Sequence, residues 1–320
     1  MAFQWSRCAS YLAAAVTAVS LAACGSSSVE SQLSPSRVIA FGDGQSDIGQ
    51  SGSRFTINGL TDVRANWTEE VASAYGRTIT PQISGGTSYA WGNTRIVAKP
   101  DAAGDASTPT LSDQIDSFLS ADAFGGNDLV LVSSGTSDII VLAQQALNGE
   151  ITQAEAIAQM RPISAELTGQ VKRLRDSGAK YIVVIGAYNM GKSVWARSVE
   201  QVAFLERMSI AFNEGFKISM EEITYQPNVL YVDFEQYINV VEYQPELYAL
   251  DNFSSPVCNS IAAGPGIGIG NGKVDSALCT TSTLVSTNYD RYGFADEVYL
   301  TPALHRQFGN WAAGTIRDRW

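Results

Sequence analysis

Residues 37–49 read RVIAFGDGQSDIG. Arg37–Phe41 is a short apolar run, and Gly42, Asp43 and Gly44 break it at once. This pattern predicts a buried strand ending in a tight turn. The same unit recurs at Asp128–Ser133 (DLVLVS), Lys180–Ile185 (KYIVVI) and Val229–Asp233 (VLYVD). Helical spacing fills the intervals: Asn66–Gly76, Leu111–Ser120 after Thr110, Ile151–Ser177 before Gly178, and Val199–Phe216. In the third of these, Leu167, Val171 and Leu174 share a face. Pro302–Arg319 reads as a helix with proline at its start. Apolar strands alternating with helices predict an α/β domain whose central parallel sheet is covered on both faces. Ligands of such sheets sit at the carboxyl ends of strands, so the residues just after each strand are the candidate site. Val241–Pro245 and Gly264–Gly272 (GPGIGIGNG) read as loops. The second lacks the preceding strand and following helix that a dinucleotide motif needs.

The 320 residues include 32 acids against 21 Lys and Arg, a net charge of −11, with 45% hydrophobic residues. That is ample core for a folded domain, and an acidic chain without a basic cluster argues against nucleic acid as a partner. One histidine, His305, and four cysteines leave no metal site of the usual His/Cys kind, and no cofactor is expected. Residues 1–23 carry one charge, Arg7, and an apolar run too short to span a bilayer, the pattern of an export signal. Its end, Leu21-Ala22-Ala23-Cys24, resembles a bacterial lipobox. The resemblance implies cleavage before Cys24 and lipidation of that residue. The expected chain is therefore exported and anchored to a membrane, with Gly25 after the cysteine favouring the outer membrane. Residues 24–36 are expected to form the lipidated cysteine and a flexible tether, and 37–320 the domain. Two cysteines remain, Cys258 and Cys279, and an even pair in an exported domain reads as a disulfide.

The stretch Phe41-Gly42-Asp43-Gly44-Gln45-Ser46-Asp47-Ile48-Gly49 resembles the first block, F-G-D-S-x-S-D-x-G, of the GDSL esterases and lipases. Every fixed position matches except the nucleophile, where Gly44 replaces serine. Asn58-Gly59 and Trp67, Ala72 and Gly76 are similar to the N-G…W…A…G segment that follows. Tyr89-Ala90-Trp91-Gly92-Asn93 resembles N-Y-A-x-G-G, with Asn93 where the second glycine offers an oxyanion-hole N–H. Gly135-Thr136-Ser137-Asp138 resembles G-x-N-D, with Ser137 in place of the asparagine donor. The literal GGND at Gly125–Asp128 precedes its strand and is set aside. Asp296-Glu297-Val298-Tyr299-Leu300-Thr301 resembles D-x-V-H-P-T, with Asp296 kept and Tyr299 replacing histidine. The superfamily's Ser, Gly, Asn and His thus appear as Gly44, Asn93, Ser137 and Tyr299. The resemblance implies a three-layer, flavodoxin-like SGNH-hydrolase fold.

Ester cleavage of this kind needs a nucleophile, a base and oxyanion donors. Gly44 has no side chain, and a free tyrosine is only about 0.1% ionised at pH 7, so Tyr299 is no substitute for imidazole. Two expectations follow. One is a silent or strongly weakened family member that binds an acyl, glycan or peptide ligand in the former cleft. The other is an active esterase with a rearranged site, Ser46 being the nearest alternative nucleophile. Asp43, Asp47 and Asp138 are expected to hold turns through their side chains, and His305 to pack inside its helix. Gly186–Ser193 (GAYNMGKS) also fits the phosphate-binding pattern G-x-x-x-x-G-K-S. It does not follow the first strand, and GDSL relatives carry a similar loop there, so nucleotide binding is the lesser reading. Oligomeric state leaves no trace in the sequence.

Overall fold

The computed structural model describes residues 32–61, 63–224 and 227–320. The expected signal segment and Cys24 lie outside the described residues. The folded unit begins at Leu33, inside the stretch expected as tether. Leu33 and Pro35 are buried, and the Arg77 guanidinium donates to the Pro35 carbonyl at 2.7 Å.

Among the described residues the sheet is all parallel, in the order β1 (Val38–Gly42), β2 (Leu129–Ser133), β3 (Tyr181–Ile185), β4 (Val229–Val232). Gly42 pairs with Ser133 and Ser133 with Ile185, so the carboxyl ends align. Beyond β1 the segment at Ser88 forms a parallel bridge to Ala40, with Tyr89 donating to the Ala40 carbonyl at 2.7 Å. Counting that segment, which lies between β1 and β2 in the chain, the order becomes second-first-third-fourth-fifth. This is the flavodoxin-like arrangement, and its switch point falls between β1 and β2.

Helices cover both faces. α1 (Trp67–Ala74) packs on the C-terminal helix, and the two approach closely at Gly309, where a Cβ would meet the Glu70 side chain at 2.6 Å. α2 (Leu111–Ala121), α3 (Thr136–Leu147), α4 (Gln153–Asp176) and α6 (Val202–Thr224) pack with one another, around the short α5 (Val194–Ser198) in chain order. α7 (Phe234–Tyr243) and α8 (Pro302–Arg319) complete the set. Starts follow the expected chemistry: Asn66, Thr110 and Thr152 each cap a helix and form a capping box with Glu69, Asp113 and Glu155. Three expectations need correction. α3 and α7 were not anticipated, α7 runs through Val241–Tyr243 where a loop was expected, and α6 starts at Val202 and passes Phe216. Cys258 and Cys279 are joined, with Cα atoms 5.8 Å apart. None of the described helices is long and apolar enough to cross a membrane.

Candidate functional site: a filled catalytic position

The turn after β1 is tied to the start of α3 by one carboxylate. Asp43 Oδ2 accepts from the Thr136 amide and Oδ1 from the Gln45 amide, both at 3.1 Å. The Asp43 amide donates to the Ser133 carbonyl at 3.0 Å. Asp43 is fully buried, and burial pushes its carboxyl up to about 7. Asp47 accepts from the amides of Gly49 and Gln50 and reaches Gly92 at 2.8 Å, and burial raises it to about 6. Asp138 accepts from Arg95 Nε and the Ile96 amide, both at 3.0 Å, while burial raises its carboxyl. Asp43 and Asp47 hold turns, as expected, whereas Asp138 ties the start of α3 to the distant Arg95–Ile96 segment. The amide of Gln114 grips β1 from the side, accepting from the Gly42 N–H at 2.8 Å and donating to its carbonyl at 2.9 Å. Sequence reading missed this residue. Its only signal is a polar side chain on the otherwise apolar face of α2.

Gly44 and Tyr299 come together beyond the end of β1, with Ser137 beside the tyrosine, and there is no room between the first two. Gly44, Ser137 and Tyr299 are all buried. A Cβ on residue 44 would stand 2.7 Å from Cε1 and Cζ of Tyr299 and 2.8 Å from its Oη. The tyrosine ring therefore occupies the volume that any side chain at residue 44 would need. Phe55 stands edge-on to it, with ring centroids 5.0 Å apart. Phe55 also fills the space over Gly92, where a Cβ would lie 1.8 Å from its ring. The Gly92 amide is spent on Asp47, and Asn93 Nδ2 on the Gly266 carbonyl at 3.0 Å. The Gly92 N–H is therefore taken, and the Asn93 side chain is tied to the glycine loop. Asn93 also sits at φ +59°, a left-handed conformation that asparagine tolerates.

Asp296 does not face the tyrosine hydroxyl. Its Oδ1 accepts from the Val298 and Tyr299 amides at 2.7 and 2.6 Å, and its Oδ2 from the Ser276 amide at 3.0 Å. Burial pushes it up to about 7. Burial also drives the Tyr299 phenol well above its ordinary value, and the nearby Asp43 and Asp296 carboxylates add to this. Tyr299 is therefore neutral and cannot act as a base near neutral pH. Tyr299 stands beside Ser137, and Ser134 Oγ and both amide atoms of Gln45 are buried without a hydrogen-bond partner. Ser46 is fully buried, and its Oγ accepts from the Trp67 indole at 3.0 Å.

Other sequence candidates resolve into structural roles. The loop Gly264–Gly272 lies against the Asn93 block. Ile267 and Ile269 are buried, and Gly268, at φ +87°, comes so near the Ala102 carbonyl that a Cβ would stand 2.3 Å from its oxygen. No sequence motif announced this cover. Asp128 of the set-aside GGND accepts from the Gly125 amide at 2.7 Å and from Arg37 Nε at 3.0 Å. In the loop Gly186–Ser193, the Ala187, Met190 and Gly191 amides donate to Asn213, Ser209 and Asn189. Lys192 pairs with Glu242 at 3.0 Å. Those donors are not presented to a phosphate. His305 is buried in α8 and pushed down to about 3 by burial.

No protein-family model matches the chain, and no curated protein does. Two solved crystal structures align with it at TM-scores of 0.45 and 0.42 and identities of 13% and 11%. They cover 88% and 89% of this chain and 96% and 98% of their own.

Proposed function

We propose that this chain is a catalytically silent relative of the GDSL/SGNH ester hydrolases, exported and held at a membrane, the bacterial outer membrane, through a lipidated Cys24. The observation that carries the silent reading is the Tyr299 ring standing where a side chain of residue 44 would go. A nucleophile is absent at Gly44. The residue at the base position is a neutral buried phenol, and the Gly92 N–H is already bonded to Asp47. Each loss alone is costly; removing the serine or histidine of an unrelated serine protease lowers turnover about 10⁶-fold. Ligand binding in the former cleft, the other half of the expectation, requires Tyr299 and Phe55 to move. An acyl, glycan or peptide ligand is better sought on an open surface.

The test is hydrolysis of p-nitrophenyl esters from acetate to palmitate by the wild type, the Ser46→Ala variant and the Gly44→Ser/Tyr299→His double variant. The expected result is no turnover by the wild type above the buffer rate. Wild-type turnover that Ser46→Ala abolishes would establish the rearranged esterase instead. Labelling of intact chain with a radioactive lipid precursor, lost in Cys24→Ala, tests the anchor.

A further inference from the structure

The parallel strands all start on one side of the molecule, and the chain enters the domain on that side. The Leu33 amide donates to the Trp320 carbonyl at 3.2 Å, and the Ser36 amide to the Asn127 carbonyl, just ahead of β2, at 2.9 Å. Trp320 stands edge-on to Tyr181, the first residue of β3, and its indole donates to the Pro227 carbonyl, just ahead of β4, at 2.8 Å. Leu33 therefore belongs to a rim at the amino ends of the strands, whereas Gly44 follows the carboxyl end of β1. α8 joins the two sides: it starts three residues after Tyr299, and its 18 residues span about 27 Å.

This rim is basic in a chain of net charge −11. Arg77, Lys180, Arg317 and Arg319 are exposed there and form no ion pair among the described residues. Arg77 Nε donates to the Pro35 carbonyl at 2.7 Å and Arg317 to the Ala74 carbonyl at 2.6 Å, neutral acceptors that leave both charges uncompensated. Of the acids nearby, Asp122 and Asp128 are taken by Arg37 and Asp176 by Arg175, while Asp318 lies between the two arginines that end α8.

We propose that this rim docks on the headgroups of anionic phospholipids and turns Gly44 and Tyr299 away from the bilayer, a stance that rests on the lipidated Cys24 proposed above. Nine residues lead from Cys24 to Leu33, a length of about 30 Å at full extension. Whatever shape they take, the domain is entered within that distance of the lipid, at the rim. Arginine presents a fork of donors to phosphate oxygens. Each arginine or lysine close to an anionic leaflet favours contact by about fivefold. That attraction acts over a Debye length of about 8 Å at physiological salt, so it is felt only by the face that the short connection holds near the surface. The chain as a whole is acidic, and the rest of its surface is repelled by the same leaflet.

The experiment uses the chain from Cys24 to Trp320, which contains the whole folded unit. Cys258 and Cys279 are joined and buried, so a maleimide phospholipid couples at Cys24 alone. This synthetic anchor tests the rim whether or not cells acylate Cys24, so failure of the rim and failure of the natural anchor are read separately. The coupled chain is placed in nanodiscs of phosphatidylcholine with phosphatidylglycerol. It carries the photo-cross-linker p-benzoylphenylalanine either at Ser177, exposed on the rim, or at Thr281, exposed in the disulfide-bridged segment whose Ser276 amide bonds Asp296. Lipid adducts, counted by mass spectrometry, are expected from Ser177 at tenfold or more the yield from Thr281. The Ser177 yield is expected to fall tenfold or more in phosphatidylcholine alone, in about 0.5 M salt, and in Arg77→Gln/Lys180→Gln/Arg317→Gln/Arg319→Gln. Equal yields from the two positions, a higher yield from Thr281, or no adduct from Ser177 overturns the proposal. So does a Ser177 yield that persists in phosphatidylcholine alone and in high salt, two conditions that leave the fold unaltered, or one that persists in the fourfold variant.

Discussion

Gly44 and Tyr299 share one volume: the phenol ring of the second lies within 2.8 Å of the place where a Cβ of the first would be. Their stability effects must therefore be coupled. In the wild-type background Gly44→Ser forces the buried ring to move, an overpacking cost of about 1–3 kcal/mol. In a Tyr299→His background the smaller ring leaves room, and the same substitution should cost less. Urea unfolding of the two single variants and the double variant is expected to give a favourable coupling of about 1–3 kcal/mol. Additive effects would mean the two positions do not contact.

Gln114 bonds both backbone polar groups of Gly42, its Oε1 accepting from the N–H at 2.8 Å and its Nε2 donating to the carbonyl at 2.9 Å. Gln114→Leu keeps the size and removes both bonds. The Gly42 carbonyl retains the Trp91 amide at 3.1 Å, but its N–H is left buried and unpaired. The expected loss is about 1–3 kcal/mol. Equilibrium unfolding in urea measures it, and an unchanged midpoint would refute the role.

Acidity should stabilise this fold over part of its range. Burial raises Asp43 and Asp296 from 3.8 to about 7 and Asp47 from 3.8 to about 6. Between those limits the folded chain holds protons that the unfolded chain has lost. Their contribution is full below about pH 4 and is lost as pH rises through 6 and 7. His305, pushed down to about 3, works the other way and contributes above about 6.5. Three carboxyls outweigh one imidazole, so the unfolding free energy should increase from pH 7.5 to pH 5. Asp296→Asn should flatten that slope by up to about 1.4 kcal/mol per pH unit. A wild-type stability that falls over this interval would contradict the assignment.

The Cys258–Cys279 bridge closes a loop with a sequence separation of 21. On the chain-entropy account such a closure is worth about 3 kcal/mol. Both cysteines are buried, at 1% and 0% exposure, so a reductant should act slowly on the folded chain. Cys258→Ser/Cys279→Ser is expected to lower stability by about that amount, read from thermal or urea melts without reductant.

How legible all this was depended on local chemistry. The strands could be read because each is an apolar run stopped by a polar or glycine residue, and burial on both faces leaves no ambiguity of period. Helices α1, α2, α4 and α8, each with a side-chain cap, were found nearly to the residue, whereas α5 behind Ser193 and α7 behind Asp233 are capped too and were not. α3 was missed because Gly135 precedes it with φ +122° and no side-chain cap, so no start signal stands in the sequence. α7 was missed because Val240, Val241 and Tyr243 favour strands, and Pro245 read as a loop when it opens a short 3₁₀ turn. The edge segment at Ser88 makes two isolated bridges, to Ala40 and Pro81, too little pattern to detect. In the site, the replacements at Gly44 and Tyr299 were visible one by one. That they fit together, with Phe55 packed against the pair, is a matter of shape that no motif encodes.

The interlocked pair at positions 44 and 299 also acts as a ratchet on the sequence itself. A serine acquired first at 44 meets the tyrosine ring. A histidine acquired first at 299 leaves an emptier core beside a glycine that cannot attack anything. Single-codon drift toward a serine nucleophile here is thus met by a loss of stability before any gain in chemistry, whichever step comes first. Glycine and tyrosine hold each other in place through shape alone.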